Sequence, residues 1–490
     1  MISILPIFSL VLLMTPTQEP HQARKFVITP QAVPSPALRY VLLPPLKELK
    51  TGNAVQHYYR CFAPDAIHFY RNQPFAESTR AWLESPYDQA ARMGLSPSQQ
   101  QQTQKTKGKD DGEVVPATRE ELNLFLQYSF LDEIDQAARR TYAEWEYLER
   151  MKEQGMALML PDLNGIIILA ELVQIRARLA VMEGNHERAL HHLQTGLTMA
   201  QHLNDAHILI CSMTGMAIAK NMLKIVEEFI QTPKAPNLYW ALTDLPSPFL
   251  DFRLAYAGDR LAIEYLLGDP KQLEERIFTN EEMQTLVNKK LKPLLRIDGQ
   301  QGNNELTLMI LKEYPRAKAW LLEQGRSATD VEKMTATQAV LLFAKARFQV
   351  LADDFAKYFQ LPLTERIVHA QAFNEKVKEL RSQQDASYFL GFYFYGYYQN
   401  VWIRLVEMDR DIALLRCVEL LRHYAAGHGR HLPSGWDDVQ DLPVPVDPLT
   451  GKRFSYKLQE NHAVINVDAI HGSPNPRSAR EYEILSLIHI

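Results

Sequence analysis

LNGIIILAELVQIRARLAVMEGNHERALHHLQTGLTMAQHL, residues 163–203, reads as two helices packed back to back. The first runs from Leu163 to Met182. Gly184-Asn185 breaks it, because glycine takes backbone angles that other residues avoid. The second runs from about His186 to His202. Val173, Ala177 and Ala180 share one face of the first helix, and Ala189, Leu193 and Gly196 share one face of the second. The small residues Ala177, Ala189 and Gly196 are expected to let the two backbones come close. A hairpin of this kind buries one face and leaves another free, which is how stacked helical arrays are built. The free face is the expected partner site, with His186, His191, Gln194 and Met199 on it.

Outward from the hairpin the chain stays helical. Arg119 opens a pattern with Leu122, Phe125 and Leu126, then Leu131, Ile134 and Ala138, and the face is expected to continue through Tyr142, Trp145 and Leu148. Asn53 is a good cap for a helix starting at Ala54. After Pro233, a short helix is expected to open at Pro236-Asn237 and run through Leu242, with others at Phe249–Leu267, from Asn280 to a stop at Asp298-Gly299, Leu306–Tyr314, Arg316–Gln324 and Thr335–Phe359. Ser387–Ile403 carries no charge and is dense in Tyr and Phe. Its tyrosines, Gln399 and Asn400 favour a buried central helix, running on to about Ala425, over a membrane span. Arg453–Lys457 and Ala463–Val467 are strand-like and joined by Gln459-Glu460-Asn461, a β-hairpin.

Composition excludes more than it selects. The chain has 490 residues, 46% hydrophobic and 23% charged, with a formal net charge of −5. No Lys/Arg block marks a nucleic-acid surface. Residues 2–14 are apolar, long enough for a signal-peptide core and too short for a spanning helix. Export to the periplasm or cell envelope is the resulting expectation, with no membrane span after the leader. Cys61, Cys211 and Cys417 lie far apart in apolar settings, as buried free thiols do. The expected divisions are an apolar leader or signal peptide (1–17), a disordered leader (18–36), an N-terminal helical segment (37–95) and a flexible linker (96–118). A helical-hairpin body (119–385), a long aromatic helix with a β-hairpin (386–470) and a C-terminal extension (471–490) follow. The expected fold class is mostly α, an irregular helical-hairpin body with a small α+β tail.

Two local patterns resemble known families. The glycine before the second hairpin helix and a small residue five positions on, Gly184 and Ala189, resemble the tetratricopeptide repeat. The aromatic that usually follows that glycine is His186 here, and the repeat's early Trp is Val173. Leu421, Tyr424, the Gly429-x-x-x-Pro433 turn and Leu442–Tyr456 with its Asp447-Pro448-Leu449-Thr450-Gly451 resemble the soluble end of bacterial pseudopilins. Hundreds of residues precede this tail, so the resemblance implies a local fold and not a role in secretion. The order of Leu42-Leu43-Pro44-Pro45, the hairpin, Pro236–Leu242, Arg416–Glu419 and Asp447–Gly451 also resembles an uncharacterised family of exported, mostly helical bacterial proteins. That resemblance implies architecture without an activity.

Catalytic patterns are few. His186-Glu187 followed by His191 misses the zincin spacing, because position 190 is Leu and His191 is five residues on. His423, His428 and His431 surround a glycine-rich turn and could hold a metal if the turn folds them together. Asp447 could take calcium, or accept hydrogen bonds from its own turn. Adjacent acids such as Asp353-Asp354 point about 100° apart on a helix and do not converge. No nucleophile elbow, phosphate loop or dinucleotide fingerprint is present, and no cofactor is expected. The reading that follows is a non-enzymatic exported scaffold for a protein or peptide partner. Its alternatives are an envelope hydrolase with a site between body and tail, and an envelope assembly component related to secretion machinery.

Overall fold

The structure, a computed structural model, describes residues 24–62, 73–85, 116–126, 130–154, 158, 160–265, 269–292, 299–383, 386–460, 462–470 and 480–486. The linker expected at 96–118 falls outside them up to residue 115, as do the leader before Arg24 and the side chains of the aromatic run before Val401.

The protein is mostly helical, at 65% helix, with a small sheet. The hairpin helices are Pro161–Met182 and His186–Asn204. Pro161 sits at the first helical position, where its missing N–H is harmless. Asn185 caps the second helix by accepting from Arg188 N, and Gly184 closes the turn at φ +67°. A third helix, Leu209–Ile230, packs on both. Gly196 serves that third helix rather than the hairpin seam, because a Cβ there would meet the Met222 side chain. Gly215 works from the other side, since its Cβ would lie 2.5 Å from the Ala200 carbonyl oxygen. Leu209–Ile230 is the one helix among the described residues long and apolar enough to cross a membrane, and 78% of its apolar window is buried in the fold.

Several boundaries differ from expectation. Tyr142 belongs to a short strand, Arg140–Tyr142, paired in parallel with Lys50–Asn53. The helical face stops at Ala138 and resumes at Tyr147. Leu306–Tyr314 and Arg316–Gln324 are a single helix, Gly299–Glu323, which runs through Pro315. Gly299 opens that helix instead of closing the one before. Thr335 caps Ala336–Ala356 as expected for a helix start there.

The largest correction concerns the two ends. Residues 18–36 read in the sequence as a disordered leader, yet Arg24–Ile28 is a strand with Phe26 and Ile28 buried. It pairs in parallel with Arg480–Ser486, from the supposed C-terminal extension. That strand lies antiparallel to His462–Val467, which pairs with Ser455–Leu458. The expected β-hairpin is thus half of a four-stranded sheet, and burial of Phe26, Ile28, Tyr482 and Ile484 drives its completion.

One helix, Ala386–Gly427, unites body and sheet. Its 42 residues span about 63 Å at 1.5 Å per residue. From Val401 onward it buries Val401, Trp402, Val406, Met408, Leu414 and Leu421. Two buried ion pairs anchor chain segments to it. Arg422 donates to both Glu419 oxygens at 2.8 and 3.0 Å, to Ala235 O and to Thr29 O. Arg410 donates twice to Asp447, at 2.6 and 2.9 Å, and again to Asp468 O.

Candidate functional site

The hairpin's turn borders a cleft of about 490 Å³ lined by Gln31, Tyr40, Gly184, Asn185, His186, Glu187, Lys234 and Pro236. Three distant parts of the chain build it, and the core explains why they meet. Arg422 on the long helix holds Thr29 O and Ala235 O, while Asn237 Nδ2 donates to Gln31 O and Glu419 O. Gln31 N in turn donates to Arg422 O at 3.0 Å. The N-terminal segment and the Lys234 turn are therefore fixed beside the start of the second hairpin helix.

The chemistry of the cleft is amphoteric. Lys234 is exposed and stands at φ +61°, a left-handed conformation that a non-glycine residue adopts at a cost of about 1 kcal/mol or more. Among the described residues neither Lys234 nor Glu187 has an ion-pair partner. His186 lines the same cleft, its ring against Phe229 and its Nε2 3.4 Å from Thr232 Oγ1. Burial first, and then the nearby Arg422 charge, lower its proton affinity, so the ring is neutral at pH 7. One free cation, one free anion, a neutral imidazole, a phenol and amides thus face a common space.

The other expected partner residues do not join His186. Met199 is 1% exposed, because its helix lies between the first hairpin helix and Leu209–Ile230. Gln194 Nε2 donates to Val41 O and its Oε1 accepts from Arg139. His191 Nδ1 accepts from Arg139 Nη2 at 2.8 Å, and its Nε2 lies 3.5 Å from Asp135 Oδ1. The helix Phe130–Ala138 and the segment around Val41 thus cover the face expected to be free. A helical face carrying His191 and Gln194 still needs polar partners, and the chain supplies its own.

The expected metal ligands are separately engaged. Asp447 accepts both donors of the Arg410 fork and Leu449 N, so its oxygens already serve a buried cation and its own turn. Calcium needs six or more oxygens and would have to displace a guanidinium. His423 Nδ1 accepts from Val33 N at 3.2 Å. His428 stacks on Tyr424 and donates to Tyr424 O, while His431 is exposed. Among the described residues the group of His, Cys, Asp and Glu that does gather is Asp135, His191 and His192. Cys61, Cys211 and Cys417 are buried free thiols, and burial pushes each thiol up, Cys61 to about 12. They are protonated and poor nucleophiles at neutral pH.

Sequence reasoning missed Gln31, Tyr40, Glu187 and Lys234 in the cleft. Lys234, set between Pro233 and Ala235-Pro236, carried the one local signal, a tight turn. The chain matches no protein-family profile, no curated protein and no solved structure.

Proposed function

We propose that this chain is a non-enzymatic helical scaffold, exported to the cell envelope, that binds a protein or peptide partner in the cleft at the hairpin's turn. The observation that carries the reading is the unpaired Lys234 and Glu187 facing one 490 Å³ cleft beside His186. A peptide segment offering both an acid and a base answers that arrangement. The tetratricopeptide-like spacing of Gly184 and Ala189, and the Gly184 turn at φ +67°, support a hairpin built to present such a surface. The apolar run 2–14 supports export. The pseudopilin-like tail is docked on the long helix through Arg410–Asp447, and Tyr239 donates to Pro443 O. That intramolecular docking speaks against the tail as a free assembly element.

Exposed ion pairs contribute only about 0.2–1 kcal/mol each, so the cleft's charges set orientation more than affinity. The test is affinity capture from an envelope fraction of the source cell with wild type, Lys234→Glu and Glu187→Lys, read by mass spectrometry. A partner retained by wild type and lost from both variants supports the reading. Equal recovery on all three refutes the cleft, and recovery of no partner refutes the scaffold.

A further inference from the structure

We propose that Asp135, His191 and His192 form a binding site for a single divalent transition-metal ion, best matched by zinc. One ligand atom from each of the three lies within 4.8 Å of the others. Two imidazoles and a carboxylate are a donor set suited to zinc, which leaves the fourth position for water. His191 is 42% exposed at its side chain and opens that position to solvent.

The independent pointer is His192. It is 2% exposed, and among the described residues neither of its ring nitrogens has a hydrogen-bond partner. A buried imidazole with both nitrogens idle is a costly arrangement that a ligand would relieve. Burial and the Arg176 charge hold His192 neutral, which is the state a metal needs. Burial works against ionising Asp135, but its carboxyl is held well below the usual range by His191, then by Arg176 at 3.1 Å and by the Thr195 hydroxyl, which donates to Oδ1 at 2.7 Å. Thr195 fixes the carboxylate's orientation as outer partners of metal ligands do.

The same surroundings say what binding requires. Arg139 has no acceptor, so its contact with His191 Nδ1 places the ring's proton on Nε2, facing Asp135. Coordination through Nε2 removes that proton, and Nδ1 takes one up, so the ring stays neutral. Arg139 must then release Nδ1. It keeps Asp135 O, Thr195 Oγ1, Gln194 Oε1 and, at 3.4 Å, the Glu48 carboxylate. Tetrahedral ligands about zinc stand about 3.3 Å apart, so the three groups close by up to about 1.5 Å from their present limit of 4.8 Å. Arg139 and Arg176 oppose a dication, while Asp135 and Glu48 offset them.

The experiment uses the untagged full chain loaded with zinc, dialysed and assayed for metal, with cobalt(II) as a spectroscopic substitute. One equivalent of zinc per chain and visible bands of low-symmetry cobalt are expected. Asp135→Asn and His192→Gln should each weaken zinc binding by more than about ten-fold. His428→Gln with His431→Gln should leave it unchanged. No retained equivalent in the wild type, or unchanged affinity in the site variants with native circular dichroism, overturns the proposal. If the two buried variants do not fold, the more exposed His191→Asn decides on the same ten-fold criterion.

Discussion

Replacing Arg422 by Ala should cost the fold about 3–5 kcal/mol, because it strands a carboxylate where no water reaches. Arg422 and Glu419 both have fully buried side chains. Without Arg422 the Glu419 carboxylate keeps, among the described residues, a single donor, Leu238 N at 2.9 Å. Two carbonyls, Thr29 O and Ala235 O, also lose their partner. Burial already outweighs the attraction of Arg422, since the Glu419 carboxyl sits above its ordinary range. Desolvation is therefore the governing effect, and the pair holds segments in register more than it adds net stability. Glu419→Leu should cost a similar amount by stranding the guanidinium. The double variant Glu419→Leu, Arg422→Met removes both charges together and should be no worse than the milder single variant. A coupling energy of at least about 3 kcal/mol follows from these figures. Urea unfolding followed by circular dichroism measures each cost at constant m. Additive single and double variants would refute the reasoning, and so would a single variant costing under about 1 kcal/mol.

Other outcomes follow from the same geometry. Gly258→Ala should be severely destabilising, because its Cβ would run into the rigid His207 carbonyl, whereas Gly196→Ala meets only the flexible Met222 and should be mild; melting temperatures rank the two. Asp447→Asn should cost about 3–5 kcal/mol by unpairing Arg410, and added calcium should leave the wild-type melting temperature unchanged; a calcium-dependent rise would restore the metal reading. Burial lowers His202 from 6.5 to about 4, so the unfolded chain takes a proton before the folded one does. Its contribution to stability is complete above pH 6.5 and falls, by at most about 3 kcal/mol, as pH drops toward 4. Asp205, raised by burial to about 6, works in the opposite sense as pH falls from 6 toward its ordinary 3.8. The readout is therefore the difference between wild type and His202→Gln, and equal pH slopes would refute it.

The features legible in the sequence are those set by neighbours along the chain. Gly184 with Asn185 ends one helix and starts the next through contacts within a few residues. Asn53 caps its helix by accepting from Val55 N. Asp447 organises its own turn, accepting from Leu449 N. What stayed hidden is set by partners far away. The strand Arg24–Ile28 has five residues and no turn signal of its own, and it exists because Arg480–Ser486 offers an edge more than 450 residues later. Arg140–Tyr142 is a strand because Lys50–Asn53 lies beside it, and its sequence alone continues a helical period. Pro315 argues for two helices locally, and packing against Ala336–Ala356 keeps one.

The candidate site divides along the same line. His186 is visible because it starts a capped helix, but its cleft partners Lys234 and Gln31 arrive through the Arg422 clamp, and Tyr40 beside Val41, whose carbonyl accepts from Gln194. His191 and Gln194 read as a free face in the sequence because periodicity shows which residues share a side and not what covers it. Val41 and Arg139 cover it. His192, one residue on, leaves the helix about 100° away and looks like ordinary core filling by period, but the imidazole arms are longer than a carboxylate's and bring the two ring centroids to 5.5 Å. Its significance depends on Asp135, 57 positions upstream in the sequence, and on the two idle nitrogens that only packing can create. In an irregular helical body, then, periodicity locates the elements, while the buried polar atoms that the packing leaves without partners locate the sites worth testing.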